Sequence, residues 1–176
     1  MTLEEARFRS KEHLARLETT FRVRAVSWFD EMNKMGINVL VYCSLRSPEE
    51  QDALYAQGRV AGHAGAKVTN AKGTPLMQSL HGYGKAFDWV PIKRVGETDQ
   101  FATDWENEKS YAIGQKVAEQ KKIRHLSWET PHLEDGLVSG WRECSLGGAT
   151  DGNLAHPDND PDKIFKKKKF FVNKSR

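Results

Sequence analysis

The stretch SLHGYGKAFDW, residues 79–89, places a histidine and an aspartate seven positions apart, His81 and Asp88. Two glycines lie between them, and glycine permits tight backbone turns that other residues resist. Aromatic residues flank the aspartate on both sides. One interpretation is a tight turn that leads into a buried strand. The other is that His81 and Asp88 are ligands of a metal ion.

The residues around Asp88 alternate as in a β-strand. Successive side chains of a strand point to opposite faces, so Ala86 and Asp88 share one face while Phe87 and Trp89 share the other. The sequence therefore predicts a strand with a polar site on one face and the hydrophobic core on the other.

The chain of 176 residues is long enough for one domain with a hydrophobic core. No apolar run approaches the roughly 20 residues of a membrane helix, and the charged N-terminus lacks the pattern of a secretory signal peptide. We therefore expect a protein made in the cytoplasm. Cys43 and Cys144 form neither a metal-binding pair nor a disulfide framework. We expect reduced, partly buried thiols, although the sequence leaves a bridge between them open.

The net charge of +3 is unevenly distributed. Residues 163–176 contain seven basic residues and no acid, which leaves a net charge of −4 on residues 1–162. The basic character therefore belongs to the C-terminal tail. The acidic remainder argues against nucleic-acid binding.

Hydrophobic periodicity predicts helices over residues 3–18, 21–35 and 103–122, with Trp105 on the apolar face of the third. A buried strand is expected over residues 37–44, which are β-branched and apolar.

A further helix is predicted from Pro48 onward. Ser47 is its expected N-cap, and Glu50 completes a capping box with Ser47. The helix ends at Gly58, and a long loop follows over residues 59–78.

The segment HLSWETPHLE, residues 125–134, offers a third candidate ligand, His132. We expect a short extended segment, and Pro131 favours an edge or irregular strand because proline cannot donate a ladder hydrogen bond. Glu129 precedes His132 by three residues, where an acid could take a proton from an attacking water. Glu134 falls on the same strand face as His132 and could orient it.

These motifs together resemble a known family. SLHGYGKAFD matches the pattern Ser-x-His-x-x-Gly-x-Ala-x-Asp, and ETPHLE matches Glu-x-x-His-x-Glu. With SLRSPEEQDALYAQGR and KVTNAKG, the sequence is similar to the zinc D-alanyl-D-alanine carboxypeptidase and L-alanyl-D-glutamate endopeptidase family, and most of all to its small phage-endolysin branch. The resemblance covers roughly residues 20–142, with the pieces in the family's order.

The resemblance implies a role for eight residues. His81, Asp88 and His132 would be the ligands of one zinc ion per chain, although such ligands also suit manganese or cobalt. Glu129 would be the catalytic acid/base, and Arg46 would bind substrate and stabilise the oxyanion. Ser79, Gln51 and Glu134 would be supporting groups. The implied fold is α+β, of the hedgehog and DD-peptidase type: a small antiparallel sheet carries the metal site, and helices pack on its other face.

The expected function is hydrolysis of bacterial peptidoglycan at the L-alanyl-D-glutamate bond of the stem peptide, as in a phage endolysin. The alternatives are a D-alanyl-D-alanine carboxypeptidase of the same family and a non-catalytic wall-binding module. We expect a monomeric catalytic domain over residues 1–145, with a linker and basic tail over 146–176 and no separate wall-binding domain.

The expected route is synthesis in the cytoplasm followed by holin-dependent release to the wall. The tail at 163–176 interleaves lysines with five large apolar residues, which favours contact with an anionic membrane or lipopolysaccharide. A solvated terminus is the alternative.

Overall fold

The computed structural model describes residues 1–60 and 64–146. The predicted tail at 163–176 therefore lies outside the described residues. In chain order the elements are helices and strands of the following bounds: α1 Leu3–Ala15, α2 Thr19–Lys34, β1 Val39–Cys43, α3 Pro48–Ala56, a 3₁₀ turn Leu80–Tyr83, β2 Ala86–Arg94, β3 Phe101–Thr103, α4 Glu108–Gln120, β4 Ile123–Leu126, β5 Glu129–Asp135 and α5 Trp141–Leu146.

The five strands form an antiparallel sheet in the order β1-β2-β5-β4, and β3 pairs with the outer end of β2. Strand β2 is therefore central, with β1 on one side and β5 on the other. Helices and a small antiparallel sheet together make an α+β fold, which confirms the predicted fold class.

The main core covers one face of the sheet. Phe87 and Trp89 of β2 are fully buried there, as the alternation of the strand predicts. Trp28 of α2 packs edge-on to Trp89 with ring centroids 5.0 Å apart, and its indole N–H donates to the carbonyl of Gly114 in α4 at 2.9 Å. Buried aromatic side chains of this size dominate core energetics. They hold α2 and α4 against the centre of the sheet.

The opposite face of the sheet is divided. At one end, Leu40, Val90 and Phe101 form a second apolar cluster with Ala6 of α1. Helices thus pack on both faces of the sheet and not only on the one face that the resemblance implies, because the far half of β2 is buried on both faces. At the other end of the same face lie the polar side chains that include Asp88. The candidate site therefore lies on one face of a sheet whose other face is covered by the main core.

Helix α3 begins as its sequence predicts. The Ser47 side chain accepts from the Glu50 amide, and the Glu50 carboxylate accepts from the Ser47 amide, which completes the capping box. The helix ends at Ala56, two residues before Gly58.

Two predicted elements differ from the structure. Helix α4 begins at Glu108, where Asn107 caps it, and Trp105 lies outside the helix with 52% of its surface exposed. The prediction that Trp105 faces the core was wrong. An asparagine N-cap stabilises the first turn of a helix by accepting a hydrogen bond from a backbone amide, and the apolar periodicity upstream of it supplies no such bond.

The segment expected as one extended strand is a hairpin of β4 and β5. Strand β5 is an inner strand, so the prediction of an edge position was wrong, although the register shift between His125 and Leu126 makes the pairing irregular. Pro131 is tolerated because the pairing of β5 with β2 spans only His132 to Glu134. The missing N–H of proline is therefore not needed in that ladder.

Within the described ranges, no helix is both long and apolar enough to cross a lipid bilayer.

Candidate metal centre

His81 is positioned by the 3₁₀ turn. Ser79 is the N-cap of this turn, and its hydroxyl accepts from the His81 amide at 3.3 Å. Gly84 ends the turn in the left-handed region, with φ of 63°, and the carbonyl of Gly84 accepts from the Glu18 amide at the start of α2. The turn is thus held at both ends, which fixes the direction of the buried His81 side chain.

Asp88 and His132 are brought together by strand pairing. They are direct partners in the antiparallel register of β2 and β5. Partners in an antiparallel pair place their side chains on the same face, with Cβ atoms about 5 Å apart. Both side chains are buried, on the face opposite Phe87 and Trp89.

Three ligand atoms converge at this point. His81 Nε2 lies 3.3 Å from Asp88 Oδ1, His132 Nδ1 lies 3.1 Å from the same oxygen, and the two nitrogens are 3.3 Å apart. Tetrahedral donors about 2.0–2.1 Å from a zinc ion are separated from one another by about 3.3–3.4 Å. The three atoms therefore fit three corners of such a site, and two imidazoles with one carboxylate are ligands that zinc accepts.

A hydrogen bond on one side of the His81 ring determines which of the two ring nitrogens has a free lone pair. Nδ1 lies 2.6 Å from the carbonyl oxygen of Ser44. Because a carbonyl can only accept, Nδ1 carries the hydrogen and donates it. Nε2 then has its lone pair directed at the site, which is the tautomer that a metal ligand needs.

In His132, a hydrogen bond to a carboxylate determines which ring nitrogen has a free lone pair. His132 Nε2 lies 3.1 Å from Glu134 Oε2, so the Nε2–H donates to Glu134 and Nδ1 faces the site. Glu134 is held in turn by Arg124, whose Nε donates to Oε1 at 2.7 Å and whose second nitrogen lies 2.6 Å from the same oxygen. Such a carboxylate–histidine pair orients a metal-bound histidine and raises its basicity.

The electrostatics of the centre favour positive charge. Burial opposes ionisation of Asp88, but hydrogen bonds from His132 and His81 outweigh it and hold the pKa of that carboxyl well below its usual range. Burial likewise opposes protonation of His81, yet the hydrogen bonds to Asp88 and Cys43 and the Asp88 charge raise its pKa to about 10. A buried carboxylate of this kind needs a cationic partner, which a proton or a metal cation supplies.

Cys43 is a further donor at the edge of the centre. Cys43, His81 and Asp88 form a group whose ligand atoms all lie within 4.8 Å of one another, so the centre could hold a metal ion through this group as well. Its sulfur lies on the Nδ1 side of the ring, 3.9 Å from that nitrogen, and Nδ1 is engaged by Ser44. We therefore regard the set with His132 as the better fit. Cys43 and Cys144 are both free thiols.

Arg46 lies beside the ligands. Its guanidinium donates to Gln51 Oε1 at 2.9 Å and to Cys43 Sγ at 3.1 Å, and one nitrogen lies 3.7 Å from Asp88 Oδ2. Gln51 is buried and donates to the carbonyl of Ala71, so it links Arg46 to the loop that follows α3. Arg46 is thus a fixed cation next to the three ligand atoms.

Glu129 lies at the open side of the centre. It begins β5 and is exposed. It lines a cavity of about 550 Å³ together with Arg46, Ser79 and the three candidate ligands. Six of the eight sequence-predicted residues line this cavity, and the other two, Gln51 and Glu134, contact the lining residues Arg46 and His132.

The structure also reveals participants that the sequence analysis missed. The carbonyl of Ser44, the guanidinium of Arg124 and the thiol of Cys43 all contact the candidate site. A β-bulge in β1 places Cys43 opposite Asp88 and leaves Tyr42 without a strand partner. A side-chain pattern could have pointed to Arg124, since a basic residue on a neighbouring strand is a common partner of a buried acid; nothing in the sequence marks a backbone carbonyl or a bulge.

No protein-family model matches this sequence.

Proposed function

We propose that this protein is a zinc metallopeptidase that hydrolyses the stem peptide of bacterial peptidoglycan at the L-alanyl-D-glutamate bond. The observation that carries the proposal is the convergence of His81 Nε2, Asp88 Oδ1 and His132 Nδ1 within 3.1–3.3 Å of one another. The motif resemblance adds the reaction and the substrate, with one zinc ion per chain and a monomeric enzyme.

The three ligands would hold the ion, with one position left for water or substrate. When bound, zinc supplies a Lewis acid that lowers the pKa of water and polarises a carbonyl oxygen. The hydrogen bonds from His81 to Ser44 and from His132 to Glu134 keep both imidazoles in the tautomer that binds a cation. The hydrogens donated to Ser44 and Glu134 leave the other two ring nitrogens to the cation, which would replace the proton that the raised pKa of His81 otherwise keeps in the centre.

Glu129 is the residue we assign to proton transfer. Its carboxylate lines the same cavity as the ligands and is open to solvent, so a peptide and a water molecule can both reach it. It would accept a proton from the attacking water and return it to the leaving amine. These are the two proton transfers that hydrolysis of an amide requires.

Arg46 is the residue we assign to charge stabilisation. A peptide carbonyl that becomes tetrahedral develops negative charge on its oxygen, and a cation held in place stabilises that charge without reorganising. The hydrogen bonds to Gln51 and Cys43 supply the rigidity. The substrate would lie between Arg46 and Glu129 across the cavity.

The test compares the wild type with Glu129→Gln. Zinc content is measured by elemental analysis, and purified peptidoglycan is digested and its new termini are identified by mass spectrometry. We expect one zinc ion per chain in both proteins and new N-terminal D-glutamate from the wild type alone. Removal of the metal with EDTA should abolish the release, and added zinc should restore it.

Other outcomes would overturn parts of the proposal. Release of only terminal D-alanine would point to a carboxypeptidase instead. Zinc binding without cleavage of any bond would point to a binding module. Asp88→Ala should lose zinc, whereas His125→Ala, which removes a histidine outside the centre, should retain it; loss of zinc from neither variant would contradict the ligand assignment.

A further inference from the structure

A second groove lies on the other side of the β4–β5 turn from the metal cavity. Its volume is about 760 Å³, and none of the residues that line it lines the metal cavity. A third groove, of about 710 Å³, shares His125 and Ser127 with it and shares Trp128, Glu129 and His132 with the metal cavity. The surface is thus continuous from the metal centre, around the turn, to the second groove.

Trp105, one member of an exposed aromatic pair, lines the second groove. Trp105 is 52% exposed and packs edge-on against Tyr42, which is 38% exposed, with ring centroids 5.6 Å apart. Tyr42 adjoins Cys43, which lies opposite Asp88 in the pairing of β1 and β2, so the pair extends from the groove towards the metal centre. A half-exposed indole that packs against a second aromatic ring is a typical contact surface for a ligand.

The polar residues of the groove select against an anionic ligand. Glu106, Glu108, Gln115, Ser127 and Thr130 line it, and no lysine or arginine is among its lining residues in the described part of the chain. Phosphate-bearing polymers and anionic lipids need basic side chains. A neutral molecule with many hydroxyl and amide groups can exchange hydrogen bonds with these carboxylates, amides and hydroxyls.

Two buried polar atoms in the wall of this groove have no partner. Tyr111 is 4% exposed, and its Oη has no hydrogen-bond partner within the described residues; the same holds for Nδ1 of His125. A buried polar group without a partner is destabilising. Both atoms are closed to solvent, so a hydroxyl-rich ligand would contact either of them only after rotation of the Tyr111 or His125 side chain.

We propose that the groove beside Trp105 binds the glycan strand of peptidoglycan, a neutral polymer of N-acetylated amino sugars. The apolar face of a sugar ring would lie on the Trp105 indole, and its hydroxyl and acetamido groups would face the polar wall. The groove would hold the glycan while the attached peptide reaches Glu129 around the turn. This inference rests on the proposed function for its choice of sugar.

The first experiment measures binding without catalysis. The full chain is titrated with the tetramer of N-acetylglucosamine, which carries no stem peptide to cleave, and binding is followed by NMR chemical shifts and intrinsic fluorescence. We expect shifts at residues that line the groove. Trp105→Ala should weaken binding about tenfold or more, and Trp105→Phe should restore much of it. Phe8→Ala removes a similarly exposed aromatic residue from α1 and should leave binding unchanged.

The second experiment separates the groove from the reaction. On glycan-bearing peptidoglycan fragments, Trp105→Ala should raise KM about tenfold, and on the free stem peptide it should match the wild type. If the wild type cleaves neither substrate, the proposed function is wrong. The sugar titration then still tests whether the groove binds glycan.

Three results would overturn the inference: no binding of the sugar by the wild type, equal binding by Trp105→Ala, or binding of a tetralysine peptide in place of the sugar. The last would assign the acidic groove to a cationic peptide.

Discussion

Asp88 and His132 face each other across the pairing of β2 and β5, with His132 Nδ1 3.1 Å from Asp88 Oδ1. The far side of the His132 ring contacts Glu134, and Glu134 contacts Arg124. A line of alternating charge thus runs across three strands, from Asp88 on β2 through β5 to Arg124 on β4. Its geometry depends on the sheet register, which the core beneath the sheet holds in place.

The first prediction concerns Glu134. Glu134→Gln should weaken zinc binding about 10- to 100-fold, because the amide is a poorer acceptor from His132 and no longer fixes the tautomer that frees Nδ1. Zinc affinity is measured by competition with a chromophoric chelator. Glu119→Gln, which alters the acid that pairs with the partly exposed His125, is the matched control and should keep wild-type affinity. Equal affinities for all three proteins would remove Glu134 from the centre.

The second prediction concerns Arg46. Arg46→Lys should lower kcat on peptidoglycan by about 10²-fold or more with zinc content unchanged, because an ammonium cannot contact Gln51, Cys43 and Asp88 at once as the guanidinium does. Steady-state kinetics and elemental analysis give the two quantities. Arg142→Lys, at an exposed arginine of α5, should behave as the wild type. An unchanged kcat in Arg46→Lys would contradict the assigned role.

The third prediction concerns Gly84. A Cβ at this position would lie 2.8 Å from the amide nitrogen of Glu18, in a backbone conformation with φ of 63° that L side chains rarely adopt. Gly84→Ala should lower the free energy of unfolding by about 1–3 kcal/mol through strain, with the collision adding to it, and should weaken zinc binding because the turn carries His81. Urea denaturation and chelator competition measure both effects.

Gly36→Ala is the control for Gly84. Gly36 has a similar φ of 77°, and nothing lies within 4 Å of its Cβ position. Gly36→Ala should lower the free energy of unfolding through strain alone, by about 1–2 kcal/mol, and should bind zinc normally. If both variants lose equal stability and both keep zinc, the contact between Gly84 and α2 does not support the site.

The fourth prediction concerns the pH dependence of stability through Glu18. Burial raises the pKa of this carboxyl, but hydrogen bonds from the Thr20 hydroxyl and the Phe21 and Thr20 amides, with the Lys85 charge, lower it to about 2. The folded pKa is below the unfolded value of 4.5, so the contribution to stability is present above about pH 4.5 and is lost as the pH falls towards 2. We expect about 1–2 kcal/mol at pH 7, after allowance for partial exposure of the side chain.

Urea denaturation of the wild type and Glu18→Gln at pH 7 and pH 3 measures this contribution. The gap in unfolding free energy between the two proteins should narrow at pH 3. Glu97→Gln changes an exposed loop acid and should track the wild type at both pH values. A gap that stays constant with pH would mean that Glu18 stabilises the fold by packing alone.

The sequence by itself determined what depends on neighbours within a few residues. The capping box from Ser47 to Glu50 and the alternation from Ala86 to Trp89 each span four residues, so local rules were enough to predict a helix start and the two faces of a strand. The candidate ligands were found because their residue types recur in two short motifs at a set spacing.

Only the tertiary structure decided how those pieces meet. His81 and Ser44 are 37 positions apart and Asp88 and His132 are 44 apart, and no local propensity specifies such pairs. The bulge that brings Cys43 opposite Asp88 arises from the pairing of two strands, as does the hairpin that makes β5 an inner strand. Each of these contacts follows from the burial of the sheet against α2 and α4. Burial depends on the whole chain, so no short stretch of sequence encodes it.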